Sequence, residues 1–330
     1  MDSQIIKFYL ETSAIEYFLS TMNMSGKDAQ ATRELQLSKN REWYISTTTL
    51  WELMQISDYK DYDHTLFLAS VLVNRKLLKS PSEIILDYLD SNNEDNIKKI
   101  DIFSNSMIAK CWEHTCDDRS YTFNIINSPL MDMTKELKKI SKKIAYIIGL
   151  HDNNDDEDIK SIKTTIECLY NTQFKDDVSE QIQQLRKISI LICFLLICCG
   201  YDITYDVIEQ YWKDKNITDF FERYDYILER KPEIINTGPL WLIANVIYSQ
   251  LINQGKNNRG TLHDGFHIVN IPFIDVFLTN DNHFTKIRDI AYKECYELFY
   301  RKIFHINELK ITQEHKEVDI NNILGKILHD

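Results

Sequence analysis

Only eight glycines and five prolines interrupt 330 residues. So few breakers favour long helices over a turn-rich β sandwich. The length suffices for one large domain or two ordinary ones with a sizeable core. Hydrophobic residues make up 44% of the chain, with 18 Tyr and 15 Phe, so a globular fold is expected rather than a disordered one.

Against that helical background, strand-like runs occur near the two ends. Residues 5–10 (IIKFYL) and 43–46 (WYIS) are short apolar or aromatic runs, as are 276–278 and 303–306. Between 61 and 255 the apolar spacing is mainly helical. Leu137, Ile140, Ile144 and Ile147 mark one helix; Ile162, Ile166 and Leu169 mark another. Ile182, Leu185, Ile188 and Ile192 mark a third, and Gly238-Pro239 opens a fourth. The pattern predicts an α/β fold: a parallel sheet flanked by helices and assembled from N- and C-terminal segments. Its expected domain covers 1–60 and 256–330, and 61–255 is a mainly α-helical insertion.

The formal charge of −12 argues against broad, non-specific phosphate binding. It is compatible with an enzyme whose carboxylates meet phosphate through a cation. The seven cysteines form no CxxC pair and no regular framework, which points to a reducing compartment without structural zinc. The N-terminus lacks a basic n-region, and the longest apolar run, 188–199, is shorter than the ~18 residues of a membrane span. A cytoplasmic protein with no membrane partner is expected.

Four acids fall where a strand hands over to a helix or in a helix's first turn: Glu11, Glu52, Asp264 and Asp281. In open parallel sheets, ligands bind outside the carboxyl ends of the strands. Carboxylates clustered there stay ionised only beside cations, and hard oxygen donors without Cys select Mg²⁺ or Mn²⁺. Such ions activate water and stabilise a phosphodiester under in-line attack. Each acid also has a plainer reading. Ser13-x-x-Glu16, Thr49-x-x-Glu52 and Thr261-x-x-Asp264 are capping-box patterns, and Asp281 suits an N-cap. Asp275 precedes the strand that Asp281 follows, so it belongs at the opposite edge.

The segments Tyr9-Leu10-Glu11-Thr12-Ser13-Ala14-Ile15 and Ser46-Thr47-Thr48-Thr49-Leu50-Trp51-Glu52-Leu53 resemble the PIN-domain family. So do Asp264-Gly265-Phe266-His267 and Asp275-Val276-Phe277-Leu278-Thr279-Asn280-Asp281-Asn282-His283-Phe284, in the same order. The resemblance covers about 4–58 and 259–308. It implies a PIN-like parallel sheet, an acidic Mg²⁺ or Mn²⁺ site and endoribonuclease activity that leaves 5′-phosphate and 3′-hydroxyl ends. It assigns the four acids to Glu11, Glu52, Asp264 and Asp281, with Ser13 and Thr279 as accompanying hydroxyls. Two departures stand out. The family usually has Asp where this chain has Glu11, and the extra methylene moves the carboxylate by more than about 1 Å. About 200 residues separate the second and third acids.

His263-Asp264-Gly265-Phe266-His267 has the i, i+4 histidine spacing of a helical zinc site but no third ligand. The expectation instead is that His267 supports the carboxylates and His263 is on the surface. Lys135 to Lys143 reads as a solvated helix face, and the aromatics between Tyr211 and Tyr226 as core. The expected function is metal-dependent cleavage of RNA, with DNA as a further substrate class, in a toxin or defence role. A protein regulator or a second copy is the expected partner. The alternative is a weak or inactive PIN-like scaffold whose helical region binds a protein.

Overall fold

A computed structural model of the chain describes residues 5–18, 25–55, 59–91, 101–117, 129–152, 154–254, 261–291 and 302–309. In chain order the elements are β1 (Ile6–Leu10), α1 (Thr12–Glu16), α2 (Gly26–Ser38), β2 (Arg41–Tyr44), α3 (Thr47–Met54), α4 (Tyr59–Leu72), α5 (Pro81–Asp90), α6 (Met107–Asp117) and α7 (Pro129–Ile147). Then come α8 (Glu157–Gln173), α9 (Glu180–Ile192), α10 (Tyr205–Lys215), α11 (Phe220–Arg230), α12 (Gly238–Gln254), α13 (Thr261–Ile268), β3 (Val276–Thr279), α14 (Asn282–Ala291) and β4 (Ile303–His305). The chain forms two compact units. One comprises Met1–Lys79, Ile102–Asn124 and Asn270–Asp330; the other comprises Ser80–Asp101 and Ile125–Val269.

The first unit is α/β. Among the described residues it has four strands, all parallel, in the order β2-β1-β3-β4. The N-terminal segment supplies β1 and β2, and the C-terminal segment supplies β3 and β4. β1 is central, with Phe8 opposite Trp43 on one side and Val276 on the other. Every residue of β3 is buried, as expected of a parallel strand covered on both faces. The chain leaves β1 toward β2 but re-enters the sheet on the other flank at β3. The boundary between β1 and β3 is therefore a topological switch point, the kind of place where open α/β sheets bind ligands beyond the strands' carboxyl ends.

The helices of this unit begin at identifiable caps. Ser25 and Asp28 form a reciprocal capping box at α2. α2 packs against β2 and α4, and α4 against α3 and α6. The sequence reading placed α4 and α6 in the insertion; their contacts put them with the sheet. At the amino edge, the Lys7 amide donates to Asp275 at 2.8 Å, so Asp275 lies at the edge away from the carboxyl ends. Lys302 donates its ammonium to the carbonyls of Ile271 and Ile274 there. Burial lowers its pKa, opposed by the nearby Asp275 charge.

The second unit is helical among its described residues. Leu137, Ile140, Ile144 and Ile147 are buried along α7, as their spacing predicts. On α8 the fully buried positions are Ile159, Ile166 and Tyr170, while Ile162 and Leu169 are half-buried. α9 continues without a break into Cys193–Cys198, where the helix widens and Cys199 N–H donates to Phe194 C=O five residues back. By length and composition, Glu180–Cys198 would suffice to cross a membrane; most of it is buried inside this unit, against α8 and α12. Asp202 is buried and accepts from Ser82 N–H, Ser82 Oγ and Thr204 N–H, tying the start of α5 to the turn before α10. Burial raises its pKa, against the lowering effect of those hydrogen bonds.

Close approach explains the glycine in α13. A Cβ on Gly265 of α13 would lie 2.9 Å from Ile243 Cγ2 and 3.1 Å from Ile247 Cγ1 on α12. Gly265 is there to let two helices touch, and α13 runs through it unbroken. The aromatic stretch of α10 and α11 divides in two. Trp212 and Tyr224 are buried core, whereas Phe220 and Phe221 are exposed. Lys135 and Lys139 of α7 are paired with Asp132 and with Asp156 and Asp158, in keeping with a solvated face.

Candidate functional site

Glu11 is the residue immediately after β1. Its amide donates to Leu278 C=O at 3.1 Å, which holds it against the end of β3. Its backbone is extended (φ −74°, ψ 162°), and α1 starts at the next residue. The expected Ser13–Glu16 capping box does not form. Glu11 caps the helix itself, because its own carboxylate reaches back to accept Ser13 N–H at 3.0 Å. Ser13 Oγ and Thr279 Oγ1 donate to the other carboxylate oxygen, at 2.5 and 2.9 Å. The side chain is 6% exposed, so this is a buried carboxylate satisfied by three donors from two strand ends.

Glu52 is placed differently from the sequence expectation. Ser46 is the N-cap of α3, accepting Thr49 N–H at 3.2 Å, so the Thr49–Glu52 box does not exist. Ser46 has the extended backbone a cap needs, and Thr47, Thr48 and Thr49 form the first turn. Glu52 therefore lies in the second turn of α3. Thr12 Oγ1 donates to it in a short hydrogen bond. Tyr9 Oη bonds Ser46 Oγ and Thr49 Oγ1 at 2.9 and 3.0 Å, and Thr49 Oγ1 donates to Leu10 C=O. These bonds fix the start of α3 to the end of β1.

One carboxylate oxygen of Glu11 and one of Glu52 consequently lie within 4.8 Å of each other. Glu16, one turn after Thr12, adds negative charge. Its carboxyl pKa is raised by partial burial and by the like charge of Glu52. Glu16 is exposed by accessible area. Of the two causes, burial is the larger and the Glu52 charge the smaller.

The third element is the turn after β3. Thr279 is fully buried, and its hydroxyl also accepts Asp281 N–H at 2.9 Å. Asp281 Oδ1 accepts His283 N–H at 2.8 Å, so Asp281 does cap α14; the His283 ring lies 3.5 Å from the same oxygen. Between them, Asn280 N–H donates to Ser13 Oγ at 2.9 Å, and Asn280 C=O faces His305 Nε2 at 3.1 Å. Glu11, Glu52 and Asp281 thus all belong to the α/β unit, on segments that leave carboxyl ends of its strands.

Asp264 and His267 belong to the helical unit, both on α13. Asp264 accepts Gln250 Nε2 from α12 at 2.5 Å. Gln250 is buried, and its Oε1 has no hydrogen-bond partner among the described residues. His267 is fully buried. His263 is buried as well, contrary to its expected surface position, with its ring 5.9 Å from that of Phe266. The short α13 packs closely on α12 through Gly265, which leaves little of its surface open.

Sequence reasoning missed Thr12, Glu16, Asn280, His305 and Gln250. Thr12 and Asn280 adjoin predicted acids, and a hydroxyl or amide beside a strand-end carboxylate was a usable signal. Gln250 and His305 carry no such local mark.

The α/β unit's donor set suits a hard divalent cation: carboxylate oxygens, with no thiolate among them. A six-coordinate ion at ~2.1 Å from each oxygen spans up to ~4.2 Å between opposite donors. The Glu11–Glu52 separation fits one ion, directly or with a water on one side. No known family model, curated protein or solved structure matches the chain.

Proposed function

We propose that the chain is a divalent-metal-dependent phosphodiesterase of the endoribonuclease kind, built on a PIN-like α/β unit. The observation that carries the reading is the close approach of Glu11 and Glu52 at the β1–β3 switch point, beside the turn that bears Asp281. Two negative oxygens this close repel unless a cation joins them.

A bound Mg²⁺ or Mn²⁺ supplies Lewis-acid charge for a phosphodiester and for the attacking water. Glu11 and Glu52 hold it. Ser13 and Thr279 orient Glu11, and Thr12 orients Glu52. Asp281 is assigned to the site by the sequence resemblance; its Oδ1 accepts the His283 amide at the start of α14. Asp264 enters on the sequence resemblance alone, and His267 as the supporting residue that the histidine spacing suggests. The helical unit selects substrate or contacts a regulator. A toxin or defence role, with RNA rather than DNA as substrate, is an analogy at the level of fold.

One observation favours a second reading, a weak or inactive scaffold. Glu11 already accepts three hydrogen bonds from its own chain, and one of them caps α1. A carboxylate used in this way has less to offer a cation. Incubating the full chain with labelled RNA and Mn²⁺, beside Glu52→Gln and Asp281→Asn, separates the two. The enzyme reading expects cleavage by the parent chain and its loss in both variants. Cleavage that survives Glu52→Gln overturns the proposed site. A folded chain that cleaves nothing with any divalent ion leaves the scaffold.

A further inference from the structure

The hydrogen bonds around Asn280 run beyond the carboxylates to the last strand. The Asn280 peptide is gripped on both sides: its N–H by Ser13 Oγ at 2.9 Å, the C=O by His305 Nε2 at 3.1 Å. Ser13 in turn donates to Glu11. His305 ends β4 opposite Thr279, is 8% exposed, and has its own amide fixed by Glu308 Oε2 at 3.0 Å. A carbonyl only accepts, so Nε2 carries the proton in this contact, in the neutral Nε2–H tautomer or the imidazolium alike. One continuous line of contacts, His305–Asn280–Ser13–Glu11, crosses the carboxyl ends of β4, β3 and β1.

From this geometry we infer that His305 is a positioning residue for the carboxylate site. It holds the Asn280 carbonyl, which sets the Asn280–Asp281 turn. That turn presents Asp281 on one side and anchors Ser13, and through it Glu11, on the other. A rigid turn keeps Glu11 and Asp281 in one arrangement while a cation binds. Groups one step behind metal ligands characteristically change affinity 10–100-fold when removed. His305 stands three hydrogen bonds away from Glu11, so no more than the lower end of that range applies. The inference rests on the proposed cation site, and its test reads the two separately.

The test uses the full chain, Mn²⁺ alone as probe, and three variants. His305→Phe keeps a ring but removes the donor; His305→Gln restores a donor at similar reach; Glu52→Gln reports on the site itself. Mn²⁺ affinity is measured by the electron paramagnetic resonance of the free ion, and exchange of the Asn280 and Asp281 amides by NMR. The expected result is a loss of about tenfold in Mn²⁺ affinity for His305→Phe. Faster exchange at Asn280 and Asp281 should accompany it, with the β1 amides unchanged and both effects largely recovered in His305→Gln. An unchanged affinity and turn exchange in His305→Phe, with Mn²⁺ binding lost in Glu52→Gln, overturns the role of His305 and leaves the carboxylate site standing. Equal loss in the Phe and Gln variants overturns it too, since bulk rather than the donor would then matter. No Mn²⁺ binding by the parent chain overturns the carboxylate reading and with it the purpose assigned to His305; the exchange data then still show whether the latch to Asn280 exists.

Discussion

Replacing Ser13 by alanine removes one oxygen and no packing carbon, so its cost isolates the hydrogen-bond wiring at the switch point. Ser13 Oγ donates to the Glu11 carboxylate at 2.5 Å and accepts the Asn280 amide at 2.9 Å. A hydrogen bond to a charged group contributes ~1.5–3 kcal/mol net, and an orphaned buried amide costs ~1–3 kcal/mol. Ser13 is half-buried, so water reaches part of the gap and the lower ends apply. The expected destabilisation is ~2–3 kcal/mol. Native-state amide exchange of β1 and β3, without divalent ions, reads the opening of this unit separately from the helical one. A double-mutant cycle with Glu11→Gln should show coupling above ~1 kcal/mol, because the two side chains share the bond. A loss below ~0.5 kcal/mol, or additive effects, would mean that Ser13 is merely a surface hydroxyl and that Glu11 is held by other means.

Two further outcomes follow from the helical unit. Gly265→Ala pushes a methyl to 2.9 Å from Ile243 and 3.1 Å from Ile247; overpacking of ~1–3 kcal/mol exceeds the ~0.5–1 kcal/mol gain in helix propensity, so thermal unfolding should show a net loss of ~1–2 kcal/mol, and an equal or higher melting temperature would count against the close contact. Asp202 has a folded-state pKa raised above its ordinary 3.8, chiefly by burial. Its contribution to stability is therefore fully present below about 3.8 and lost as pH rises through the raised value. The stability of the parent chain relative to Asp202→Asn should improve as pH is lowered from about 7 toward about 4, measured by urea unfolding; a flat difference would show that the carboxyl is not desolvated.

Residues 5–10, 276–278 and 303–306 announce β1, β3 and β4 because buried parallel strands need unbroken apolar runs, and such runs are visible locally. The run at 43–46 was read two residues late, since Ser46 leaves the strand to cap α3. The exclusion of Asp275 was legible for the same kind of reason: one strand length separates it from Asp281. The capping patterns misled because Ser, Thr and Glu recur near both helix starts, and spacing alone does not say which residue adopts the extended backbone of a cap.

What only the tertiary structure decided is which partners meet. Sequence patterns report neighbours a few residues apart, along one helix turn or one strand. The hydrogen bond from Thr279 to Glu11 joins residues 268 apart, and that from Asn280 to Ser13 joins residues 267 apart. The order β2-β1-β3-β4 brings those ends side by side, and it arises from burying both faces of β1 and β3 at once. The chain's local chemistry thus determined its strands, helices and candidate acids. Long-range packing chose which hydroxyl, amide or imidazole stands behind each acid, because that choice depends on strands being laid next to one another.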